Sequence, residues 1–342
     1  MKTFNNYFYY EDWIRGDCTY LQQHDFQGLG LVLQTNPAEF SSRYAFLNEV
    51  PRNKVTVIDF SQNYADTNLL NQLSDQLTDL KIPHILLSPD SMVSDNENLC
   101  HFPMFYLYGV VEWVDDYQRN FDGKKIYDIS CLNYNPHTHR IHNYVRLREK
   151  NYKKIMLGWW WHRLKRWNQT TDYTIDPEIL YKFDQLKQSE NVDANAKMPI
   201  GRKDSLDIKH IAYQNSYINI VTETRMINEL VLLTEKTWKP IASGQLFFII
   251  GCQNSIAYLR SIGVDVFDDI IDHSYDSESD PARRIDLMHV SLEKLMSQNL
   301  AAIYQQTHER RQHNQQLFFS GHFGQRYIDQ INFLIQRKIS QI

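Results

Sequence analysis

The sequence predicts an α/β protein made of two Rossmann-like domains, with C-terminal helices that pack back on them. Short apolar runs bounded by turn residues recur along the chain, which is typical of parallel strands covered on both faces. A length of 342 residues is too great for one ordinary sheet and sufficient for two domains with their own cores. Gly123 precedes the first strand of the second half, so the predicted domains span 1–123 and 124–320, with a C-terminal helix over 321–342.

The first predicted domain is a sheet of four apolar runs with one amphipathic helix. Leucines recur at helical spacing over residues 67–80, after a capping aspartate at position 66. The four strands are predicted over Gly28–Gln34, Lys54–Phe60, Pro83–Ser88 and Phe102–Val111. Right-handed crossovers between them would cover both faces of the sheet.

Polar side chains just past these strands are candidates for contact with a substrate, because open α/β sheets bind ligands at the carboxyl ends of their strands. We select Asp17, Asp90 and Glu112 as the predicted catalytic residues. The residues alone do not rank these three above the other candidates, which are His24, Asn36, Asp59, Ser61 and Ser88. For each of these residues, the simpler interpretation is a polar side chain in a loop that contacts only solvent.

The centre of the sequence is an αβ unit over residues 216–251. Ser216–Val221 alternates and is rich in β-branched residues, and Leu246–Ile250 is continuously apolar, so both are predicted strands. Between them, Thr234 is the predicted N-cap of a helix and Gly244 its predicted stop.

The first turn of this helix combines a carboxylate with an ammonium. Glu235 and Lys236 would lie at the carboxyl edge of the sheet, beside the exposed amides of the helix start. Such amides with a lysine suit a phosphate, and a carboxylate suits the two hydroxyls of a ribose. Thr-Glu-Lys is also a common capping sequence, so a purely structural role stays open. A proline within a helix costs about 3 kcal/mol, so the helix either bends at Pro240 or starts after Thr234.

A second cation is predicted at the start of an earlier helix. Lys125–Leu132 is a predicted strand, and the loop after it leads into a helix that runs to about Lys150, with Arg140 near the first turn. Arginine is unfavourable there against the helix dipole unless it binds an anion, and a guanidinium fork grips a diphosphate. The alternative is an arginine turned outward into solvent.

The other elements of the second half are two short strands, a loop and several helices. Tyr275 or Asp276, in an acidic loop, is a further candidate to reach a sugar. The strands are predicted over Lys153–Leu157 and Val264–Phe267, the polar loop over 186–206, and the helices over Asn254–Gly263, Pro281–Gln316 and Gly324–Ile342.

Charge is divided unevenly between the two halves. Residues 1–123 carry 7 Lys+Arg against 17 Asp+Glu, which is a net −10 and leaves +5 for the rest of a chain whose total is −5. An anionic cofactor in the second half suits that division.

Several classes of protein are not indicated. The four cysteines, Cys18, Cys100, Cys131 and Cys252, form no Cys-x-x-Cys pair and are predicted to be reduced, and no residue pattern suggests a metal site. No run approaches the roughly 18 apolar residues of a membrane helix, and residues 1–13 lack a signal-peptide core. We therefore expect a cytoplasmic protein.

Four stretches of the second half share a pattern with a known family. They are ISCLNYNPHTHR at 129–140, INIVTET at 218–224, LLTEKTWKPIASGQLFFIIG at 232–251 and LRSIGVDVFDDIIDHSYD at 259–276. In this order they resemble the nucleotide-binding half of GT-B glycosyltransferases, particularly the fucosyltransferase-like α1,3 group and related uncharacterised proteins of bacteria and bacteriophages. The resemblance covers roughly residues 125–280.

The resemblance implies a fold and a set of ligand contacts. Two domains would face each other across a cleft, with the acceptor side over 1–123 and the nucleotide-sugar donor side over 124–320. Glu235 would bind the donor ribose, while Lys236 and Arg140 would bind its diphosphate from opposite sides. Thr234 would start the phosphate-binding helix, and Glu223 would lie near the base or the sugar.

The reaction implied is transfer of a sugar from a nucleotide-sugar donor to an acceptor hydroxyl. No metal is expected, because cations and helix-start amides would stabilise the leaving diphosphate. An Asp, Glu or His of the first half would deprotonate the acceptor hydroxyl. Direct displacement by that hydroxyl would invert the configuration of the anomeric carbon.

Two acceptors and one rival function stay open. The acceptor is either a saccharide or a hydroxymethylated base of phage DNA, in which case the protein acts in the host cytoplasm. The stretch Trp159–Trp167, WWWHRLKRW, mixes basic and aromatic residues as nucleic-acid grooves do, although core packing of its tryptophans is the simpler interpretation and the acidic first half opposes DNA. The rival is a non-catalytic nucleotide-binding or nucleic-acid-binding module.

Overall fold

The computed structural model divides the chain into two compact units, one formed by Met1–Tyr108 with Gly321–Ile342 and the other by Gly109–Ser320. Both contain helices and a sheet whose strands are all or mostly parallel, so the predicted mixed α/β class is confirmed. The cleft between domains and their limits near Gly123 stay predictions. The structure describes residues 21–22, 29–34, 52, 55–59, 67–88, 96–101, 103, 106, 109–110, 113, 124–133, 136–150, 152–159, 173–189, 208, 211–228 and 230–342.

The first unit contains a five-stranded sheet in the order β1-β2-β3-β4-β5. The strand β1 pairs antiparallel with β2, and the other neighbours are parallel. The helix α1 (Thr67–Asp79) precedes β4, and the C-terminal helix His322–Ile339 packs on β3 and β4. The strands are β1 Leu21–Gln22, β2 Leu29–Gln34, β3 Val55–Asp59, β4 His84–Ser88 and β5 Leu99–His101.

The apolar face of α1 supplies much of this core. Leu70, Leu73 and Leu77 are buried at helical spacing, as predicted, whereas Leu69 lies off that face and is exposed. Every residue of β4 is buried, which fits an interior strand of a parallel sheet.

The fourth strand of the first unit was predicted in the wrong place. The strand β5 ends at His101, before the predicted run of Phe102–Val111. Tyr106 donates its backbone N–H to the carbonyl of Pro103 at 3.0 Å, and Gly109 and Val110 are helical. Proline favours the first turn of a helix, which fits a helical turn after Pro103 in place of the predicted strand.

The second unit contains a four-stranded parallel sheet in the order β7-β6-β8-β9. Its strands are β6 Tyr127–Asn133, β7 Ile155–Trp159, β8 Ser216–Thr222 and β9 Leu246–Ile250. The helices described in this unit are α2 Thr138–Glu149, α3 Pro177–Ser189, α4 Ile211–Gln214, α5 Glu235–Ala242, α6 Ser255–Ser261, α7 Pro281–Met296, α8 Leu300–Gln306 and α9 His308–Phe319.

Helices cover this sheet because its strands are apolar on both faces. All five residues of β9 are buried, and α2 packs against α3 and α7 while α5 packs against α9. Ile141, Tyr144 and Val145 of α2 form one cluster with Ile179 and Phe183 of α3. Residues 186–189, which the sequence predicted as loop, continue α3 to Ser189.

The strand predicted over Val264–Phe267 is absent, and these residues form an irregular buried segment. The N–H of Asp265 donates to the side chain of Asn314 at 2.8 Å, and Phe267 has a φ of 64°. A left-handed residue bends the chain away from a strand path. Within the described ranges, no helix combines the length and apolarity needed to cross a membrane.

Candidate anion-binding site

The strand order of the second unit places a topological switch point at the ends of β6 and β8. The chain leaves β6 through α2 toward β7 on one side and leaves β8 through α5 toward β9 on the other. At such a switch point the two following loops diverge, and ligands bind between them. The Thr222 hydroxyl donates to the side-chain oxygen of Asn133 at 2.6 Å, which ties the two strand ends together.

Glu223, directly after β8, holds the start of α5 in place. Its side chain is fully buried, and one carboxylate oxygen accepts from the Thr234 N–H at 2.9 Å and the Thr237 hydroxyl at 2.6 Å. The other oxygen accepts from the Thr234 hydroxyl at 2.5 Å and the Thr224 N–H at 3.2 Å. These four protein donors occupy the carboxylate. The contact of Glu223 with a base or sugar stays a prediction.

Arg140 lies at the start of α2, as predicted, but is neither turned outward nor extended into open space. Its side chain is buried, and one terminal nitrogen donates to the carbonyls of Glu223 at 2.9 Å and Thr222 at 3.3 Å. The His139 Nε2 donates to the same Glu223 carbonyl at 2.7 Å. The end of β8 therefore orients the guanidinium.

The start of α5 matches its prediction. Thr234 is the N-cap and accepts from the Lys236 N–H at 3.4 Å. The Lys236 Nζ donates to Glu235 at 2.9 Å, to the Thr234 hydroxyl at 3.1 Å and to the Thr224 hydroxyl at 3.2 Å. The helix contains Pro240 without a later start, and it ends before Gly244, whose φ of 64° suits a glycine.

The charges around this switch point are predominantly positive. Burial, reinforced by repulsion from Arg140, Lys236 and Arg225, lowers the pKa of His137 to about 3. Burial and Arg140 also hold the pKa of His139 well below its usual value, and the two imidazole rings stack 5.7 Å apart. Both histidines are therefore neutral near pH 7, and the nearby cations favour an anion.

Glu235 is a second carboxylate in this region, besides that of Glu223. Burial alone would raise its pKa, but Lys236 and Lys239 outweigh that effect and hold the pKa below its usual value. The side chain of Lys239 is buried 5.7 Å from the centre of the Tyr213 ring. Glu235 is thus a charged carboxylate beside two ammonium groups.

Comparisons with known proteins add little to this geometry. No family model matches the chain, and no curated protein matches it. Among solved structures, one described as the crystal structure of alpha1,3-fucosyltransferase is similar, with 12% identity and a TM-score of 0.36, over 78% of this chain and 71% of that one. A similarity of this size carries no argument about activity.

The predicted ligand-binding residues come together, whereas the predicted catalytic residues fall outside the part of the chain that the structure describes. Arg140, Glu223, Thr234, Glu235 and Lys236 all lie at the ends of β6 and β8. The predicted catalytic residues Asp17, Asp90 and Glu112 lie outside the described residues, as do positions 160–167 of the aromatic and basic stretch.

Tyr275 and Asp276, predicted to reach a sugar, have internal partners. The Asp276 carboxylate accepts from the N–H groups of Ile256 at 3.0 Å and Ala257 at 2.9 Å, which caps α6. The Tyr275 side chain is fully buried, and its hydroxyl lies 3.4 Å from the N–H of Ile249. Both residues therefore support the domain.

Sequence reasoning missed four groups around the site, of which two are cations and two are neutral imidazoles. His137 and His139 were quoted only as loop residues, and Arg225 and Lys239 were given no role. A signal existed for Arg225, because it follows β8 by three residues at the ligand-binding edge. Among the described residues, no group of three His, Cys, Asp or Glu side chains could hold a metal ion.

Proposed function

We propose that the site between the starts of α2 and α5 binds the diphosphate of a nucleotide sugar, and that the protein transfers the sugar to an acceptor hydroxyl. The observation that carries the proposal is the convergence of two helix starts with Arg140 and Lys236 at a switch point of a parallel sheet. Both cations are close enough to act on His137. The resemblance of residues 125–280 to the donor-binding half of GT-B glycosyltransferases supports the same ligand.

Two buried polar atoms at the start of α2 also suit a polar ligand. Thr138 Oγ1 and His139 Nδ1 have no hydrogen-bond partner within the described part of the chain. Buried polar groups are normally satisfied, so such atoms at a helix start favour an occupant that accepts or donates hydrogen bonds.

The reaction would break the bond between the anomeric carbon and the diphosphate oxygen. Lys236, Arg140 and the amides of α5 would stabilise the charge that develops on the leaving diphosphate, and Glu235 would hold the ribose hydroxyls. We propose Asp17, Asp90 or Glu112 as the base that takes the acceptor proton. This assignment needs no metal ion.

Titration with the four common ribonucleoside diphosphates tests the donor site. We expect one of them to bind, to stabilise the protein by about 2.7 kcal/mol at a hundredfold excess over its Kd, and to bind at least tenfold more weakly to Lys236→Gln. Lys294→Gln is the matched control, since the side chain of Lys294 is 70% exposed and 3.9 Å from Asp272. Equal affinity in all three proteins contradicts the assignment of Lys236.

Turnover separates an enzyme from the rival binding module. A nucleotide sugar with the base that binds should be consumed in the presence of an acceptor, and release of the nucleoside diphosphate measures this. Binding without release under any acceptor would favour the module.

The two proposed acceptors differ in charge. DNA with hydroxymethylated bases should be retained by the protein on a filter at low salt and released as salt is added, whereas a neutral saccharide should show no such dependence. A lack of retention at low salt removes the DNA acceptor.

A further inference from the structure

We propose that Glu235 makes this site select a nucleoside diphosphate over bare pyrophosphate. Without a ligand, Glu235 is paired with Lys236, and the hydroxyls of a ribose take the place of Lys236 as the hydrogen-bonding partners of Glu235. This inference rests on the proposed function and concerns the same site. It gives Glu235 a second role beyond contact with the ribose.

The first step is the number of donors on Lys236. An ammonium has three N–H groups, and the structure commits all three to protein oxygens, on Thr224, Thr234 and Glu235. A phosphate oxygen can therefore bind to Lys236 only if one of these contacts is given up. The Thr234 hydroxyl is fixed by its role as N-cap and by its bond to Glu223, so it does not move with the lysine.

The second step is the identity of the contact that competes with a phosphate. Of the three acceptors, only Glu235 is charged, and it makes the shortest contact at 2.9 Å. Its side chain is 12% exposed, while that of Lys236 is 26% exposed. A carboxylate this buried is costly without a hydrogen-bonding partner, and Lys239 is the other cation that acts on it.

The third step compares two ligands. Bare pyrophosphate would draw Lys236 away from Glu235 and supply nothing to the buried carboxylate, and its own charge would repel that carboxylate. A ribonucleoside diphosphate would bring the same phosphates together with two hydroxyl donors. Only the ribonucleoside diphosphate supplies hydrogen-bond donors that replace Lys236 at the Glu235 carboxylate. The site therefore selects this ligand over pyrophosphate.

The inference predicts opposite effects of one substitution on two ligands. Glu235→Gln releases Lys236 and removes the repulsion, so its affinity for inorganic pyrophosphate should rise about tenfold. Its affinity for the ribonucleoside diphosphate that binds best to the wild type should fall by about tenfold or more. Isothermal titration calorimetry measures both.

A third ligand gives an independent measurement on the unaltered protein. The 2′,3′-dideoxy analogue of the same nucleoside diphosphate keeps the base and phosphates and lacks both hydroxyls. The wild type should bind it at least tenfold more weakly than the ribonucleotide, and Glu235→Gln should bind the two nearly equally. The wild-type comparison tests the role of the ribose hydroxyls even if Glu235→Gln does not fold.

The matched control is Glu293→Gln, which makes the same chemical change at an exposed glutamate paired with Lys150. It should leave all three affinities unchanged, which rules out an effect of net charge. The inference is overturned if Glu235→Gln gains no affinity for pyrophosphate, or if the wild type binds the dideoxy analogue as tightly as the ribonucleotide. If the wild type binds no nucleoside diphosphate, the proposed function fails and this inference falls with it.

Discussion

The carboxylate of Glu223 accepts hydrogen bonds from both the backbone N–H and the hydroxyl of Thr234, at 2.9 and 2.5 Å. The carbonyl of the same Glu223 accepts from Arg140 and His139 at the start of α2. One residue after β8 therefore connects the starts of both helices that form the candidate site. The relative position of the two predicted phosphate-binding cations depends on this connection.

Removal of the Thr234 hydroxyl should destabilise the protein. Thr234→Ala loses an N-cap and leaves a buried oxygen of Glu223 with one donor fewer, so we expect a loss of about 1–3 kcal/mol in the free energy of unfolding. Urea denaturation measures this loss. Thr234→Ser keeps the hydroxyl and should lose much less, and equal losses in the two variants would show that the hydroxyl is not what matters.

Substitution of Arg140 should affect stability as well as ligand binding. Arg140→Ala leaves the carbonyls of Thr222 and Glu223 with fewer donors, so we expect a loss of about 1–3 kcal/mol together with weaker binding of a nucleoside diphosphate. Arg140→Lys keeps the charge without the planar fork and should retain more of the stability than of the affinity. Denaturation and calorimetry on the same samples separate the two effects. Unchanged affinity in Arg140→Ala would remove Arg140 from the ligand contacts.

Ligand binding should be coupled to protonation of His137. Burial and nearby cations keep the pKa of this imidazole at about 3, and a bound diphosphate would favour its charged form and raise that pKa. Protons are then taken up on binding, so the affinity for a nucleotide sugar should increase as the pH falls toward about 5. Calorimetry in two buffers of different ionisation enthalpy measures the uptake. His137→Gln should lack it, and the same uptake in the variant would assign the proton to another group.

Asp286 should contribute stability that is lost in acid. It accepts from Arg146 at 2.7 Å and from His142 at 3.2 Å, and although burial opposes the charge, these partners lower its pKa to about 2. Because the folded-state pKa is below the unfolded value of about 4, the contribution is present above about pH 4 and disappears as the pH falls toward 2. Asp286→Asn should cost about 1 kcal/mol at neutral pH, allowing for solvent screening of a half-exposed carboxylate.

Urea denaturation of the wild type and Asp286→Asn across this pH range provides the test. The difference between the two proteins should narrow as the solution becomes more acidic. A difference that stays constant down to about pH 2 would mean that the charge of Asp286 is not what stabilises the packing of α2 on α7.

Local patterns in the sequence were sufficient for most strands and for the key helix starts. Thr234 caps α5 and Gly244 follows its end because capping and left-handed turns depend on a few adjacent residues. The prediction failed where tertiary contacts override such patterns. Val264–Phe267 has the composition of a strand, but Asn314, far along the chain, binds its backbone instead.

The sequence by itself determined the α/β class, the apolar strands and the cations that follow two of them, since these features depend on hydrophobic period and on neighbouring residues. Only the tertiary structure decided that β6 and β8 are neighbours, that the Glu223 carboxylate binds the start of α5, and that Lys236 is paired with Glu235. The physical reason is that hydrogen bonds and desolvation depend on distances between residues remote in the chain, and no local pattern encodes those distances.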